Sequence, residues 1–133
     1  MIHVLDAGPM MAYLQGELGD DVVTQILVDN PGECYAHVFN LTEVYDVFFR
    51  SGGSGDAETA IDLLLDAGII PRDDADEAFW KEVGTLKGSH ALSLPDGFCI
   101  AVARRLSGIA VTTDHSEFDP LVPFGYCPNR FIR

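Results

Sequence analysis

The sequence predicts an α/β domain of three layers, with helices on both faces of a mainly parallel central sheet of four to five strands. Three observations predict it. Short, continuously apolar segments alternate with longer segments of helical periodicity, the pattern of a sheet buried on both faces. The length of 133 residues predicts one domain over residues 1–133, large enough to bury its core without disulfides. Apolar residues at 47% and charged residues at 22% match globular averages, which excludes disorder, collagen and coiled coil.

The elements follow in order. Residues 2–5 form a short apolar run that ends at Asp6, a buried strand. Gly8-Pro9 opens a helix to about Leu14, with proline early, where its missing N–H costs nothing. Residues 20–29 carry Val22, Val23, Ile26 and Leu27 on one helical face, and residues 34–38 form a second strand. Residues 40–50 set Leu41, Val44, Tyr45, Phe48 and Phe49 at i, i+3, i+4, i+7 and i+8, the clearest helix in the chain. The glycine-rich Ser51-Gly52-Gly53-Ser54-Gly55 predicts a turn to a second helix over 55–67, built on Ala57, Ala60, Ile61 and Leu64. A brief strand over 69–71 precedes a helix over 74–87 around Phe79, Trp80 and Val83. A helix over 94–106 follows, around Phe98, Ala101, Val102 and Leu106, then a strand over 109–113 and an edge strand over 129–132.

Charge narrows the function classes. Twenty-one acids against eight bases give a net charge of −13, which repels nucleic acid at long range and argues against a simple nucleic-acid-binding module. An enzyme that grips a polyanion through metal ions remains open. No apolar run reaches the length of a membrane span, and the first six residues do not read as a targeting segment. Cys34, Cys99 and Cys127 are odd in number and lack CxxC spacing, which predicts reduced thiols in a cytoplasmic protein. The four histidines lack metal-ligand spacing, and Arg104-Arg105 reads as a solvated helix end that complements the dipole. Neither a P-loop nor a GxSxG nucleophile is present.

Four acids sit where a doubly wound sheet would gather them. Asp6 and Asp114 end predicted strands; Glu43 and Asp96 lie in the first turns of predicted helices. The crevice of such a sheet lies beyond the carboxyl ends of its strands. Clustered carboxylates repel one another, and Mg²⁺ or Mn²⁺ relieves that with oxygen ligands. Each acid also has a structural reading. Asn40…Glu43 and Ser93…Asp96 fit capping boxes, and Asp114 fits an Asx turn. An acid ending a buried strand is costly without a partner, so Asp6 reads as functional.

Leu5-Asp6-Ala7, Asn40-Leu41-Thr42-Glu43, Leu94-Pro95-Asp96-Gly97 and Val111-Thr112-Thr113-Asp114 stand in the order of the four acidic blocks of PIN-domain ribonucleases. The chain resembles most the VapC-like toxins of bacterial and archaeal toxin–antitoxin pairs, and its closing Phe131-Ile132-Arg133 is similar to their C-terminal strand. The resemblance implies a PIN-like fold and Mg²⁺- or Mn²⁺-dependent endonucleolytic cleavage of RNA. It implies Asp6, Glu43, Asp96 and Asp114 as catalytic, metal-site acids, with Asp6 and Asp96 as direct ligands. Thr112 or Thr113 would hydrogen-bond within the site, and Glu117 would be a fifth acid. It further implies an antitoxin partner and a homodimer. One position departs from the family's pattern: a hydroxyl residue is usual two places after the first acid, and here stands Gly8. Two alternatives compete. One is an inactive relative that only binds protein. The other is a receiver-like phosphoacceptor domain, which would need a second acid beside Asp6 and a lysine at a late strand end; this chain has neither.

Overall fold

In the computed structural model, which describes residues 1–133, the strand His3–Leu5 (β1) lies between two parallel neighbours. His3 and Val4 pair with Cys34 and Tyr35 of β2 (Cys34–His37) on one side. On the other, the same two residues pair with Ile109 and Ala110 of β4 (Ile109–Thr112). The strand Ile69–Arg72 (β3) adds outside β2, and Asn129–Phe131 (β5) outside β4. The order is β3-β2-β1-β4-β5, every pair parallel. In the flavodoxin-like order of receiver domains the first strand instead sits between the second and third, so that alternative is set aside.

Alternation along the strands divides the core. Leu5 and Val111 point to one face, where they meet Met10 of helix α1 (Ala7–Gln15), Val23 and Ile26 of α2 (Asp20–Asp29), and Val44 and Leu64 of α3 (Val38–Asp66). Val4 and Ala110 point to the other, against Phe79 and Val83 of α4 (Glu77–Ser89) and Ile100 and Val102 of α5 (Leu94–Leu106). The chain winds outward from β1 on the first face and returns to β4 on the second. The topological switch, where such sheets bind ligands, therefore falls between the carboxyl ends of β1 and β4.

Several expected boundaries move. The turn predicted at 51–55 contracts to a kink: α3 joins two helices, and only Gly53, between them, leaves helical geometry, at φ 81° and ψ −173°. A glycine takes that conformation without a Cβ clash, so one residue suffices to kink the helix. The helix predicted from 74 begins at Glu77, because Asp76 caps it by accepting from the Phe79 N–H. Arg105 is not a solvated helix end; it pairs with Asp74 at 3.0 Å and with Asp76. Phe79 fills the core while Trp80 is exposed. A short helix α6 (His115–Phe118) and a 3-10 helix (Asp119–Phe124), neither predicted, follow β4. No helix is long and apolar enough to cross a membrane.

Candidate metal centre

Asp6 is the residue at which β1 becomes α1. Its backbone is still extended, and its Oδ1 accepts the Ala7 N–H at 2.8 Å, capping the helix. Pro9 falls in the first turn, where an N–H would have no intrahelical partner. Asp114 does the same after β4: its Oδ1 accepts from the Glu117 N–H at 3.1 Å and the Ser116 hydroxyl at 2.7 Å. Both acids thus serve helix starts and still stand side by side, because β1 and β4 are neighbours.

The other acids arrive on helices. Ser93 caps α5 through the Asp96 N–H, which leaves the Asp96 side chain free for the crevice. Glu117, in the first turn of α6, accepts the Ser93 N–H on both its oxygens, at 3.2 and 3.1 Å, and so ties the start of α5 to the end of β4. One carboxylate oxygen each from Asp96, Asp114 and Glu117 lie within 4.8 Å of one another. Asp6 and Asp96 lie near enough that each carboxyl shifts the pKa of the other. Glu43 stands at the edge, half-buried, close enough to sense the charge of Asp6 and Glu117. The structure thus brings Asp96, Asp114 and Glu117 together, sets Asp6 beside Asp96, and leaves Glu43 at the edge.

Asn40 was legible only as a cap of α3, and it is not one. His37 caps that helix, its Nδ1 accepting the Phe39 N–H at 3.0 Å. Asn40 is fully buried, and its Nδ2 donates to Asp6 Oδ1 at 3.2 Å and to the Pro95 carbonyl at 3.0 Å. The only sequence signal was a polar residue one helical turn before Val44 on a buried stripe. Of the two threonines, Thr112 enters the site: it donates to Asp6 Oδ2 at 3.1 Å and accepts the Asp114 N–H at 3.0 Å. Thr113 hydrogen-bonds to none of the acids; its Oγ1 instead lies 2.3 Å from where a Cβ on Gly8 would be.

The electrostatics are lopsided. No lysine, arginine or histidine pairs with any of the five acids. Two carboxylates about 4 Å apart repel by about 4 kcal/mol at an effective dielectric near 20. Burial, the contact with Glu117 and the nearby Asp6 hold Asp96 well above the ordinary carboxylate range. Burial raises Asp6, and burial and the charge of Asp6 raise Glu43. A donor set made only of carboxylate oxygens suits a hard dication, Mg²⁺ or Mn²⁺, rather than zinc. Beside Asp6, Asn40 Oδ1 is the one buried side-chain polar atom without a hydrogen-bond partner.

A family model described as PIN domain matches residues 3–119. No curated protein matches the sequence. Among solved structures, the chain is similar to VapBC2 from Rickettsia felis bound to a DNA fragment from its promoter, with a TM-score of 0.77 at 13% identity over 98% of both chains. It is similar to DNA-bound VapBC from Salmonella typhimurium, with a TM-score of 0.75 at 11% identity over 100% of this chain and 99% of that one. It is similar too to VapC20 from Mycobacterium tuberculosis, a toxin that cleaves the sarcin-ricin loop, with a TM-score of 0.71 at 15% identity over 89% of this chain and 94% of that one.

Proposed function

Because the chain belongs to the PIN domain family, we propose that it is a metal-dependent endoribonuclease, the toxin of a toxin–antitoxin pair. The observation that carries this reading is the gathering of Asp96, Asp114 and Glu117 oxygens within 4.8 Å, with Asp6 against Asp96 and no cationic side chain to balance them. The similarity to VapBC assemblies and to a toxin that cleaves the sarcin-ricin loop supports the biological role.

Asp6, Asp96 and Asp114 would hold Mg²⁺ or Mn²⁺, with Glu117 braced behind them by the Ser93 N–H. When bound, the ion lowers the pKa of water and stabilises charge that develops on a phosphodiester. The chain's own groups do the rest. Thr112 orients the Asp6 carboxylate through Oδ2. Glu43 makes no hydrogen bond to another side chain, and burial raises its pKa, so its carboxylate is suited to take up a proton at the edge of the site. The cytoplasm as location, an antitoxin as partner and a homodimer as assembly belong to the same proposal. Val38, Phe39 and Leu94, exposed beside Asn40 and Asp96, offer apolar surface for such contacts.

The test is cleavage of structured RNA by the purified chain. Cleavage should require Mg²⁺ or Mn²⁺, stop on chelation and be lost in Asp96→Asn. Metal-dependent cleavage that survives Asp96→Asn would overturn the assignment. Metal binding without cleavage of any RNA would favour the inactive protein-binding relative.

A further inference from the structure

The hydrogen bonds around Asp6 are unevenly shared. Oδ1 accepts twice, from the Ala7 N–H at 2.8 Å and from Asn40 Nδ2 at 3.2 Å. Oδ2 accepts once, from the Thr112 hydroxyl at 3.1 Å. A carboxylate offers about two acceptor positions per oxygen, so Oδ1 is saturated and Oδ2 keeps one position open. The second N–H of Asn40 goes to the carbonyl of Pro95, the residue before Asp96, at 3.0 Å. Both neighbours of Nδ2 are oxygens, which settles the orientation of the amide: the flipped form would set oxygen against oxygen twice. One fully buried side chain thereby joins α3 to the end of β1 and to the start of α5, the two segments that carry Asp6 and Asp96.

The other end of the amide is unspent. Asn40 Oδ1 is buried without a donor. Ser93 already supplies the cap of α5, and His37 that of α3, so neither helix needs Asn40 for its terminus. Leucine would fill the same volume on this buried stripe without leaving an acceptor unpaired.

We propose that Asn40 is a positioning residue of the metal centre: its amide nitrogen holds Asp6 Oδ1, so that Oδ2 would be the oxygen left to bind a cation, and its own unpartnered oxygen would accept from a water taken up with the ion. This deepens the metal-dependent reading and rests on it.

The experiment is calorimetric titration of the full-length chain with Mn²⁺, together with melting temperatures with and without Mn²⁺, for wild type, Asn40→Leu and Asn40→Ser. Asn40→Leu should bind Mn²⁺ roughly 10–100-fold more weakly, the usual cost of losing a group that orients a ligand. Its Mn²⁺-induced rise in melting temperature should shrink accordingly. Asn40→Ser leaves room for a bridging water and should fall between the two. If Asn40→Leu does not fold, Asn40→Ser carries the same comparison against wild type. A variant that binds Mn²⁺ as tightly as wild type, or whose melting temperature falls equally with and without the ion, would make Asn40 a purely structural residue and overturn the inference alone. Wild type that binds no Mn²⁺ would overturn the metal-dependent reading itself, and the inference with it.

Discussion

Thr113 occupies the space that a side chain on residue 8 would need: its Oγ1 lies 2.3 Å from the position of a Cβ on Gly8, and its Cβ and Cγ2 at 3.3 Å. Where the family resemblance leads one to expect a hydroxyl at position 8, the hydroxyl of Thr113, the residue after β4, already stands. Gly8→Ser should therefore destabilise the protein by about 1–3 kcal/mol through overpacking. Thr113→Ala should remove most of that cost in the double variant. Urea denaturation of the four proteins of this cycle measures the coupling. Additive effects would show that the two positions do not compete for space.

Removing metal should weaken the fold. At a hundredfold excess over Kd, Mn²⁺ should stabilise the wild type by about 2.7 kcal/mol through mass action. Asp96→Asn relieves the repulsion among Asp6, Asp96 and Glu117, so its metal-free form should be as stable as wild type or more so, without a response to Mn²⁺. Thermal melts with Mn²⁺ and with chelator decide this. A clear loss of metal-free stability in Asp96→Asn would assign that carboxylate to holding the helix start instead.

Metal-free stability should also depend on pH in a set direction. The pKa values of Asp6 and Asp96 are raised in the folded state by burial and mutual contact. The folded chain thus holds protons that the unfolded chain has released, and stability falls as pH rises above the ordinary carboxylate range of about 4. The loss is complete only once pH passes the raised folded values. Melting temperatures from pH 5 to pH 9 should therefore decline more steeply for metal-free wild type than for Asp96→Asn. Saturating Mn²⁺, which displaces those protons, should flatten the wild-type profile. Parallel profiles for wild type and Asp96→Asn would remove the raised pair as the cause.

Salt should act on RNA in an unusual sense. Most nucleic-acid enzymes lose affinity as salt rises, because basic side chains release counterions. Here the net charge is −13, and Arg50, Arg72, Lys81, Arg104 and Arg105 are all held by acids of the same chain. Screening of the long-range repulsion should leave KM for RNA unchanged or lower it between 50 and 200 mM salt, at constant free Mn²⁺. A KM that climbs tenfold or more over that range would reveal a basic docking surface at odds with this charge distribution.

Most of the fold was legible because its signals are local. Apolar runs at 2–5, 34–38 and 109–113 mark buried strands, and the stripe from Leu41 to Phe48 marks a helix, whatever the rest of the chain does. The break predicted at 51–55 is local as well, and it takes the form of a kink rather than a loop. Glycine and serine permit a turn but do not impose one, and Gly53 alone took the non-helical conformation. The beginnings of α3 and α4 were misjudged because the capping side chains, His37 and Asp76, are chosen by geometry that composition does not reveal.

The sequence by itself determined which residue types stand at strand ends and helix starts, and so named Asp6, Glu43, Asp96 and Asp114, because those positions are read from neighbours a few residues away; Glu117 came only with the family resemblance. Only the tertiary structure decided that Asn40 grips Asp6 across 34 residues, that Thr112 reaches it across 106, and that Thr113 takes the room beside Gly8. Such contacts follow from strand order and helix packing, in which residues far apart in the chain become neighbours, and hydrogen-bond valence is shared out only once they meet.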